Sequence, residues 1–199
     1  MNQTTLRAVR RVNGVENAGP VSTSTTAILL PNDKVLKVSL LGVEAGRPGA
    51  PTLTAGRYFL SATAREVIID ERAAQRTGIQ IGETITIRST QGTDDQFFTL
   101  RVVGLVDGPS YFFQPTMFVP PVTWEKIRPQ SEAELQSDTP FPNIIAVKLQ
   151  DPDQIDLVKA RLLANVTNIE VADIPTTINN IPGYSAQQGT VQTQGFFTL

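Results

Sequence analysis

The sequence contains neither cysteine nor histidine. Their absence excludes disulfide bonds, thiolate zinc sites, cysteine nucleophiles and every proton relay that runs through an imidazole. The chemistry left to the chain is that of carboxylates, lysine, tyrosine, serine and threonine. No charge of one sign dominates either, because 17 Lys and Arg stand against 19 Asp and Glu, so nothing indicates a nucleic-acid partner.

A long hydrophobic run is also missing. The opening residues, MNQTTLRAVRRVNG, mix apolar and basic positions and are typical of neither a signal peptide nor a membrane span. The last residues, GTVQTQGFFTL, are polar up to Gly195 and turn apolar where the sequence stops. We interpret that abrupt stop as a fragment boundary.

What the chain does have is enough apolar material for a sizeable core: 40% of its 199 residues are hydrophobic. Near the start, residues 4–12 predict a short amphipathic helix and residues 15–44 predict a β-hairpin. Near the end, residues 143–149 and 168–174 predict two strands around a helix at 151–166. This pattern predicts a split α+β sandwich that is assembled from the two ends of the chain.

The middle of the chain, roughly residues 59–138, is then an insertion with strands of its own. Its strand QFFTLRVVGLV is predicted to direct one apolar face inward, formed by Phe98, Leu100, Val102 and Val106. The helix near the end of the chain is predicted to begin at the N-cap Asp151 and to bury one face, formed by Ile155, Val158, Leu162 and Val166.

Acidic residues gather around the stretch EVIIDERAAQRTGIQIGETITI. Asp70 follows a β-branched run, where a helix needs an N-cap, and Glu71 lies in the first turn, where the helix dipole favours negative charge. Gly78 supplies a left-handed helix end, and Glu83 precedes an alternating strand. We therefore predict structural roles for Asp70, Glu71 and Glu83.

Other patterns fail as chemical motifs. GVEAGRPG follows a strand but lacks the spacing of a phosphate-binding loop, and TDD at 93–95 lacks the alternating oxygen ligands of a calcium loop. Serines have no histidine to activate them, although a pair of carboxylates brought together in space stays open. The sequence thus predicts no catalytic residue, no cofactor-binding residue, no metal ligand and no enzymatic activity.

Five aromatic residues fall within fourteen positions of an irregular, proline-punctuated segment that leads into a short helix near Thr123. One interpretation is core filling between two subdomains. The other is a contact surface for a partner or substrate, since aromatic residues on irregular backbone are typical of such sites. The candidate contact residues are Tyr111, Phe112, Phe113, Phe118 and Trp124.

The stretch GRYFLSATAREVIIDERAAQRTGIQIGETITI, followed by FFTLRVVGLV, resembles the periplasmic core domain of MacB-type ABC transporter permeases of the MacB/FtsX-like family. VNGVENAGPV is similar to the opening of that family's domain, where a short helix ends and a strand begins. The features that carry the resemblance are Gly56-Arg57, the strand at 67–69, the helix alanines Ala73 and Ala74, the segment 81–85 and the strand end VVGLV.

The resemblance implies an α+β fold: a porter-like α/β sandwich built from both ends of the chain, with an inserted β-rich subdomain. The expected parts are residues 1–58 and 139–185 for the two halves of the porter-like subdomain, 59–138 for the insertion, and 186–199 for a stalk leading toward a membrane helix. Residues 3–12 and 176–199 are the expected tethers to transmembrane helices that this chain does not contain.

The resemblance further implies a domain on the extracytoplasmic face of a bacterial cell membrane that transmits ATP-driven motion and contacts a substrate or partner protein in export or lipoprotein handling. Its implied partners are a cytoplasmic ABC ATPase subunit, a second permease copy and an unknown substrate or extracytoplasmic protein. The isolated fragment is expected to be a monomer. Two alternatives stay open: a soluble ligand- or protein-binding module without membrane attachment, and a carboxylate hydrolase.

Overall fold

The computed structural model describes residues 3–31, 34–107, 114–135, 144–174 and 176. These ranges contain five α-helices and eight strands. The helices are α1 Gln3–Arg10, α2 Glu71–Thr77, α3 Pro121–Ile127, α4 Glu132–Leu135 and α5 Ile155–Asn165, the last preceded by a 3-10 turn at Pro152–Gln154. The strands are β1 Val15–Leu29, β2 Val35–Val43, β3 Ala55–Gly56, β4 Glu66–Asp70, β5 Thr84–Gln91, β6 Asp94–Val106, β7 Thr116–Val119 and β8 Ile144–Leu149.

Six strands form a closed ring of pairings. Going round it, β2 pairs with β7, β7 with β4, β4 with β6, β6 with β5, β5 with β1, and β1 again with β2. Every one of the six strands contributes apolar side chains to one buried cluster, which α3 joins through Trp124 and Ile127. The ring is therefore a small barrel whose interior is filled by side chains.

The first strand extends beyond this barrel. Its second half, from Val21, pairs with β2, whereas its first half, Val15 to Val21, pairs with β8. A second buried cluster covers that first half, drawn only from residues 6–18 and 145–171. The 15-residue β1 thus contributes buried side chains to two cores, one along each half of the strand. The second core is assembled from both ends of the described chain.

The α+β class is confirmed, and several local predictions agree with the structure. The Asp70 side chain accepts a hydrogen bond from the Arg72 backbone N–H as the N-cap of α2, and Gly78 ends that helix with φ 75°. The 15–44 hairpin is formed by β1 and β2. The four-part division at residues 58, 138 and 185 stays a prediction.

The predicted face of β6 is wrong at Val106. Phe98, Leu100 and Val102 do pack with the barrel interior, but Val106 packs with Val103 in a third cluster. The cause is an irregularity in the β4–β6 pairing, where Val67 pairs with Val102 and the next residue, Ile68, pairs with Gly104. One extra residue in β6 inverts the alternation beyond it, as a β-bulge does.

Two predictions near the end of the chain also need correction. Residues 168–174 form no strand, and Ile169 and Val171 instead pack against the second cluster without a sheet partner. In α5, Val158, Leu162 and Val166 are buried as predicted, but Ile155 is 40% exposed. The helix begins only at Ile155, after the 3-10 turn, so this residue lies in the first turn of α5 and outside its packed face.

Tight turns and a missed strand account for the remaining differences. The segment TDD at 93–95 is not a loop, since Asp94 and Asp95 belong to β6 and only Gly92 and Thr93 connect that strand to β5. The aromatic segment contains β7, which pairs in parallel with β2 and antiparallel with β4. All four residues of Thr116–Val119 are buried. The sequence did not predict this strand because a proline flanks it on each side.

Candidate functional site

The structure describes two of the five aromatic candidates, and both are in the interior. Trp124 is 1% exposed and packs inside the barrel, and Phe118 is 5% exposed and packs on the outer face of the sheet. These two rings are core residues, which corrects the expectation that they contact a partner. Tyr111, Phe112 and Phe113 lie outside the described residues, so their contact role stays a prediction.

Trp124 packs tightly against β2. Its indole N–H donates to the Leu40 carbonyl at 3.1 Å, and a Cβ added at Gly42 would lie 2.6 Å from the Cβ of Trp124. Just after the helix, at its C-cap, the Arg128 guanidinium lies 5.5 Å from the centre of the indole ring. Arg128 is itself buried and pairs with Glu125 at 3.3 Å and Glu134 at 3.0 Å. Packing and a hydrogen bond thereby fix α3 to the barrel, and the ion pair of Arg128 with Glu134 joins the end of α3 to α4.

A second ion pair fixes the segment before β4. The Arg57 guanidinium donates to both carboxylate oxygens of Glu66, at 2.5 Å and 3.2 Å, and the Leu60 backbone N–H donates to Glu66 at 2.9 Å. Hydrogen bonding from Arg57 lowers the pKa of the nine-tenths buried Glu66 carboxyl below its ordinary value, although burial opposes the shift. Glu66 therefore acts as a clamp on residues 57–60.

The backbone conformation at residue 56 explains why the Gly56-Arg57 motif begins with glycine. Its φ of 83° favours glycine, and a Cβ there would lie 2.2 Å from the carbonyl oxygen of Val103. The sequence indicated the motif but not its partner, because Glu66 is nine positions away and only the fold brings it back to Arg57.

The two ends of the described chain meet at a joint formed by α1, α5 and the turn between α1 and β1. Arg161 on α5 donates to the Asn13 carbonyl at 3.1 Å, and a Cβ at Gly14 would lie 2.5 Å from a methyl group of Val158. Apolar side chains of α1 share the second cluster with those of α5. A cleft of about 490 Å³ opens beside this contact, lined by Ala8, Arg11, Val12, Asn13, Arg161 and Asn165.

The joint contains the first predicted tether, whereas the structure describes only one residue of the second. Residues 3–12 form α1 and the start of the turn after it, and their apolar side chains belong to the second cluster. Of 176–199, the structure describes Thr176 alone, whose backbone N–H donates to Asp173 at 2.7 Å. A hydrogen bond from the Thr176 side chain, together with this backbone bond, lowers the pKa of the Asp173 carboxyl below its ordinary value.

The acidic residues predicted to be structural have local hydrogen-bond partners. Across the described ranges, no group of three or more acidic side chains is arranged to hold a metal ion. Glu83 accepts from the Gln80 backbone N–H at 2.9 Å, and Glu71 accepts from the Thr54 hydroxyl. Within the same ranges, no helix is long and apolar enough to cross a membrane.

Comparison with known proteins gives one family. The profile of the MacB-like periplasmic core domain matches residues 1–165, most of the chain. No curated protein sequence matches.

Solved structures share the fold at low sequence identity. The extracellular domain of the noncanonic ABC-type transporter YknZ from Gram-positive bacteria has a TM-score of 0.57 and 14% identity, over 83% of this chain and 82% of that one. The periplasmic region of MacB from Actinobacillus actinomycetemcomitans has a TM-score of 0.55 and 17% identity, over 80% and 70% of the two chains. A domain of a putative permease from Porphyromonas gingivalis has a TM-score of 0.50 and 20% identity, over 82% and 70%.

Proposed function

The chain belongs to the family of MacB-like periplasmic core domains, and we propose on that premise that it transmits ATP-driven motion from the membrane part of an ABC transporter permease to the outside of the cell. It is an extracytoplasmic domain of such a permease and not a classical enzyme. Its part in the cycle is mechanical: it moves as a lever and contacts a substrate or partner protein in export or lipoprotein handling.

The observation that carries this proposal is the joint between α1 and α5. A lever driven from a membrane needs both of its attachments on one stiff element, since motion delivered to two separate flexible points is lost. Here Leu6, Val9 and Val12 pack in the same buried cluster as Leu162 and Val166. The long β1 then runs from that cluster into the barrel, so a displacement of the joint moves the barrel with it.

The partners follow from the family and are part of the proposal. A cytoplasmic ABC ATPase subunit supplies the energy through the full permease, and a second copy of the permease provides the surface against which this domain moves. A substrate or outer partner is also contacted, and we assign that contact to the aromatic residues Tyr111, Phe112 and Phe113.

The parts of the lever are also proposed from the sequence pattern. The predicted parts are residues 1–58 and 139–185 as the unit next to the membrane, residues 59–138 as the inserted unit and residues 186–199 as the stalk. The two units share the barrel, because β1 pairs with β5 and β2 pairs with β7. Membrane helices of about 20 apolar residues are expected on both sides of this segment in the full reading frame.

The test compares two core truncations of similar burial in the full-length permease. Leu162→Ala leaves a cavity in the joint, where Leu162 is 5% exposed, and Ile85→Ala leaves a cavity in the barrel core, where Ile85 is 4% exposed. Both remove a buried aliphatic side chain and destabilise the domain by a few kcal/mol. We expect Leu162→Ala to lower transport per ATP hydrolysed about fivefold and Ile85→Ala to leave that ratio near its wild-type value. Equal ratios in the two variants contradict the lever.

A second test addresses the side of the membrane. Because this segment has no cysteine, an exposed position such as Ser131 can be changed to cysteine in an otherwise cysteine-free permease. A membrane-impermeant maleimide should label Ser131→Cys in intact cells. Labelling only after the cells are opened contradicts an extracytoplasmic location.

A further inference from the structure

The cleft at the joint between α1 and α5 is positively charged. Its volume of about 490 Å³ lies inside the range of about 300–1,000 Å³ that is typical of small-molecule sites. The described residues that line it are two arginines, Arg11 and Arg161, with two asparagines and two apolar residues, and none of them is acidic. The cleft therefore offers cations and amide groups to a ligand.

The two arginines reach the cleft from opposite ends of the described chain. Arg11 directly follows α1, and its backbone N–H donates to the Ala8 carbonyl at 3.1 Å. Arg161 lies on α5, where its Nη1 donates to the Asn13 carbonyl at 3.1 Å and its own carbonyl accepts from the side-chain amide of Asn165 at 2.7 Å. A guanidinium carries five N–H donors, so that one bond to Asn13 leaves donors of Arg161 for a ligand.

The charge of these arginines is not balanced by neighbouring carboxylates. In the part of the chain that the structure describes, neither arginine has an ion-pair partner. Helix α1 has no acidic residue, and the first one in the sequence, Glu16, pairs with Lys148 at 2.7 Å. The neighbours of Arg161 one turn away on α5 are uncharged as well: Leu157, Val158, Ala164 and Asn165. Like charges that line one cleft repel each other, and an anion between them removes that repulsion.

We propose that this cleft binds the phosphate group of a phosphate ester through Arg11 and Arg161. The planar guanidinium matches phosphate oxygens with two parallel hydrogen bonds and stays charged at every physiological pH. Ala8 and Val12 line the same cleft and give the organic part of an ester an apolar contact. A phosphate that contacts both arginines joins α1 to α5 and so stiffens the joint. The phosphate group is common to lipid headgroups and to soluble esters.

A purely structural role for the two arginines is the competing explanation. Arg11 follows the carbonyl end of α1, where a cation offsets the helix dipole. Arg161 holds the Asn13 carbonyl, and it precedes the last turn of α5, beyond which the dipole effect is weak. This role needs no ligand. It predicts that loss of either arginine lowers the melting temperature and that phosphate esters leave the melting temperature unchanged.

The experiment uses the 199-residue chain at constant ionic strength, with glycerol 3-phosphate as the soluble probe. Titration calorimetry should give one site with a dissociation constant of about 1 mM, the affinity of a few charge-assisted hydrogen bonds in an open cleft. The melting temperature should rise by about 3 °C at ten times that concentration. Glycerol without the phosphate is the control ligand and should give neither effect.

Four variants separate the cleft from general attraction of anions. Arg11→Gln and Arg161→Gln should each weaken binding about tenfold. Arg11 is exposed and has no ion pair in the described ranges, so its variant keeps the test valid if Arg161→Gln fails to fold. Arg11→Lys keeps the charge but loses the planar fork, and it should weaken binding about threefold. Arg76→Gln is the matched control, at an exposed arginine in the last turn of α2, and should bind like the wild type.

A second arm identifies the source of the phosphate group. The chain and its variants are sedimented with vesicles of phosphatidylglycerol and, as a zwitterionic comparison, of phosphatidylcholine. Sedimentation with phosphatidylglycerol that Arg11→Gln and Arg161→Gln reduce, but Arg76→Gln does not, assigns the cleft to a lipid headgroup. Binding of glycerol 3-phosphate alone assigns it to a soluble ester.

The proposal is overturned if neither glycerol 3-phosphate nor phosphatidylglycerol vesicles bind, which is the result expected for purely structural arginines. It is also overturned if Arg76→Gln weakens binding as much as Arg11→Gln and Arg161→Gln do, or if none of the three weakens it. No arm of the experiment measures transport, so its failure is distinguishable from a failure of the lever.

Discussion

Trp124 donates its indole N–H to the carbonyl of Leu40 at 3.1 Å, and it can do so only because residue 42 has no side chain. A Cβ at Gly42 would lie 2.6 Å and 2.7 Å from two atoms of Trp124, closer than side-chain atoms pack. A glycine in a strand normally weakens it, but here the glycine admits the largest side chain of the barrel core. Gly42 and Trp124 therefore join the packing of β2 to that of α3.

Replacing Trp124 by phenylalanine should destabilise the domain by about 2–3 kcal/mol, because it removes the hydrogen bond to Leu40 and leaves space in the core. Urea unfolding should show a lower midpoint with an unchanged slope. Val122→Ala on the same helix is the control: Val122 is 40% exposed, and its truncation should change the free energy of unfolding by less than about 0.5 kcal/mol. Equal effects would contradict the role given to Trp124.

Gly56 and Gly46 allow backbone strain to be separated from steric overlap. Both have positive φ, 83° and 72°, but a Cβ at Gly56 meets the Val103 carbonyl at 2.2 Å, whereas a Cβ at Gly46 meets nothing within 4 Å. We expect Gly46→Ala to cost about 1–2 kcal/mol, the penalty for a left-handed alanine alone. Gly56→Ala should cost at least about 2 kcal/mol more, since the backbone of β6 must also move. Denaturant unfolding measures both; similar costs would show that β3 moves away from β6 freely.

The Arg57–Glu66 pair predicts a pH dependence of defined sign. The pKa of Glu66 is lowered in the folded state from an ordinary value of 4.5, chiefly by the hydrogen bond from Arg57. The folded state therefore binds the proton less readily than the unfolded state, and the stabilisation is complete above about pH 4.5 and lost as the pH falls through the lowered pKa. We expect Glu66→Gln to cost about 2 kcal/mol at pH 7, a moderate value because Arg57 is 45% exposed and partly screened.

The measurement is the melting temperature of wild type and Glu66→Gln between pH 7 and pH 3. The difference should be about 4–8 °C at pH 7 and should shrink below pH 4.5. Glu170→Gln, at an exposed position, is the control and should leave the melting temperature near the wild-type value at every pH. A difference that persists unchanged at pH 3 would mean that the charge of Glu66 contributes nothing.

The parts of the fold that sequence reasoning could predict are local. The cap at Asp70, the stop at Gly78 and the hairpin of β1 and β2 depend on neighbouring residues, whose preferences are written in the sequence. Local preferences could not predict that the barrel closes, because β1 pairs with β5 and β2 pairs with β7, and these strands are far apart in sequence. The bulge that redirects Val106 was invisible for the same reason, since it is defined by the pairing of β6 with β4.

The candidate site shows the same limit. Aromatic residues in a segment without regular periodicity indicated an interface, but Phe118 lies in the short strand β7 and Trp124 faces the barrel interior. Their burial depends on Gly42 and on the outer cover of residues 50–59, neither of which adjoins them in sequence. By contrast, the family resemblance depended on the order of several weak motifs over a long stretch, and the family profile confirms it over residues 1–165.

The remaining aromatic residues give the sharpest test of a contact surface. Replacing Tyr111, Phe112 and Phe113 together by serine should weaken a partner or substrate contact and leave the fold intact, because surface substitutions change stability little. Phe118→Ala, at a ring that is 5% exposed, is the matched control and should cost about 3–5 kcal/mol. We expect the triple variant to melt within about 2 °C of wild type and the full permease carrying it to lose transport at normal ATP hydrolysis. A triple variant that melts as low as Phe118→Ala would assign these rings to the core, as the structure does for Phe118 and Trp124.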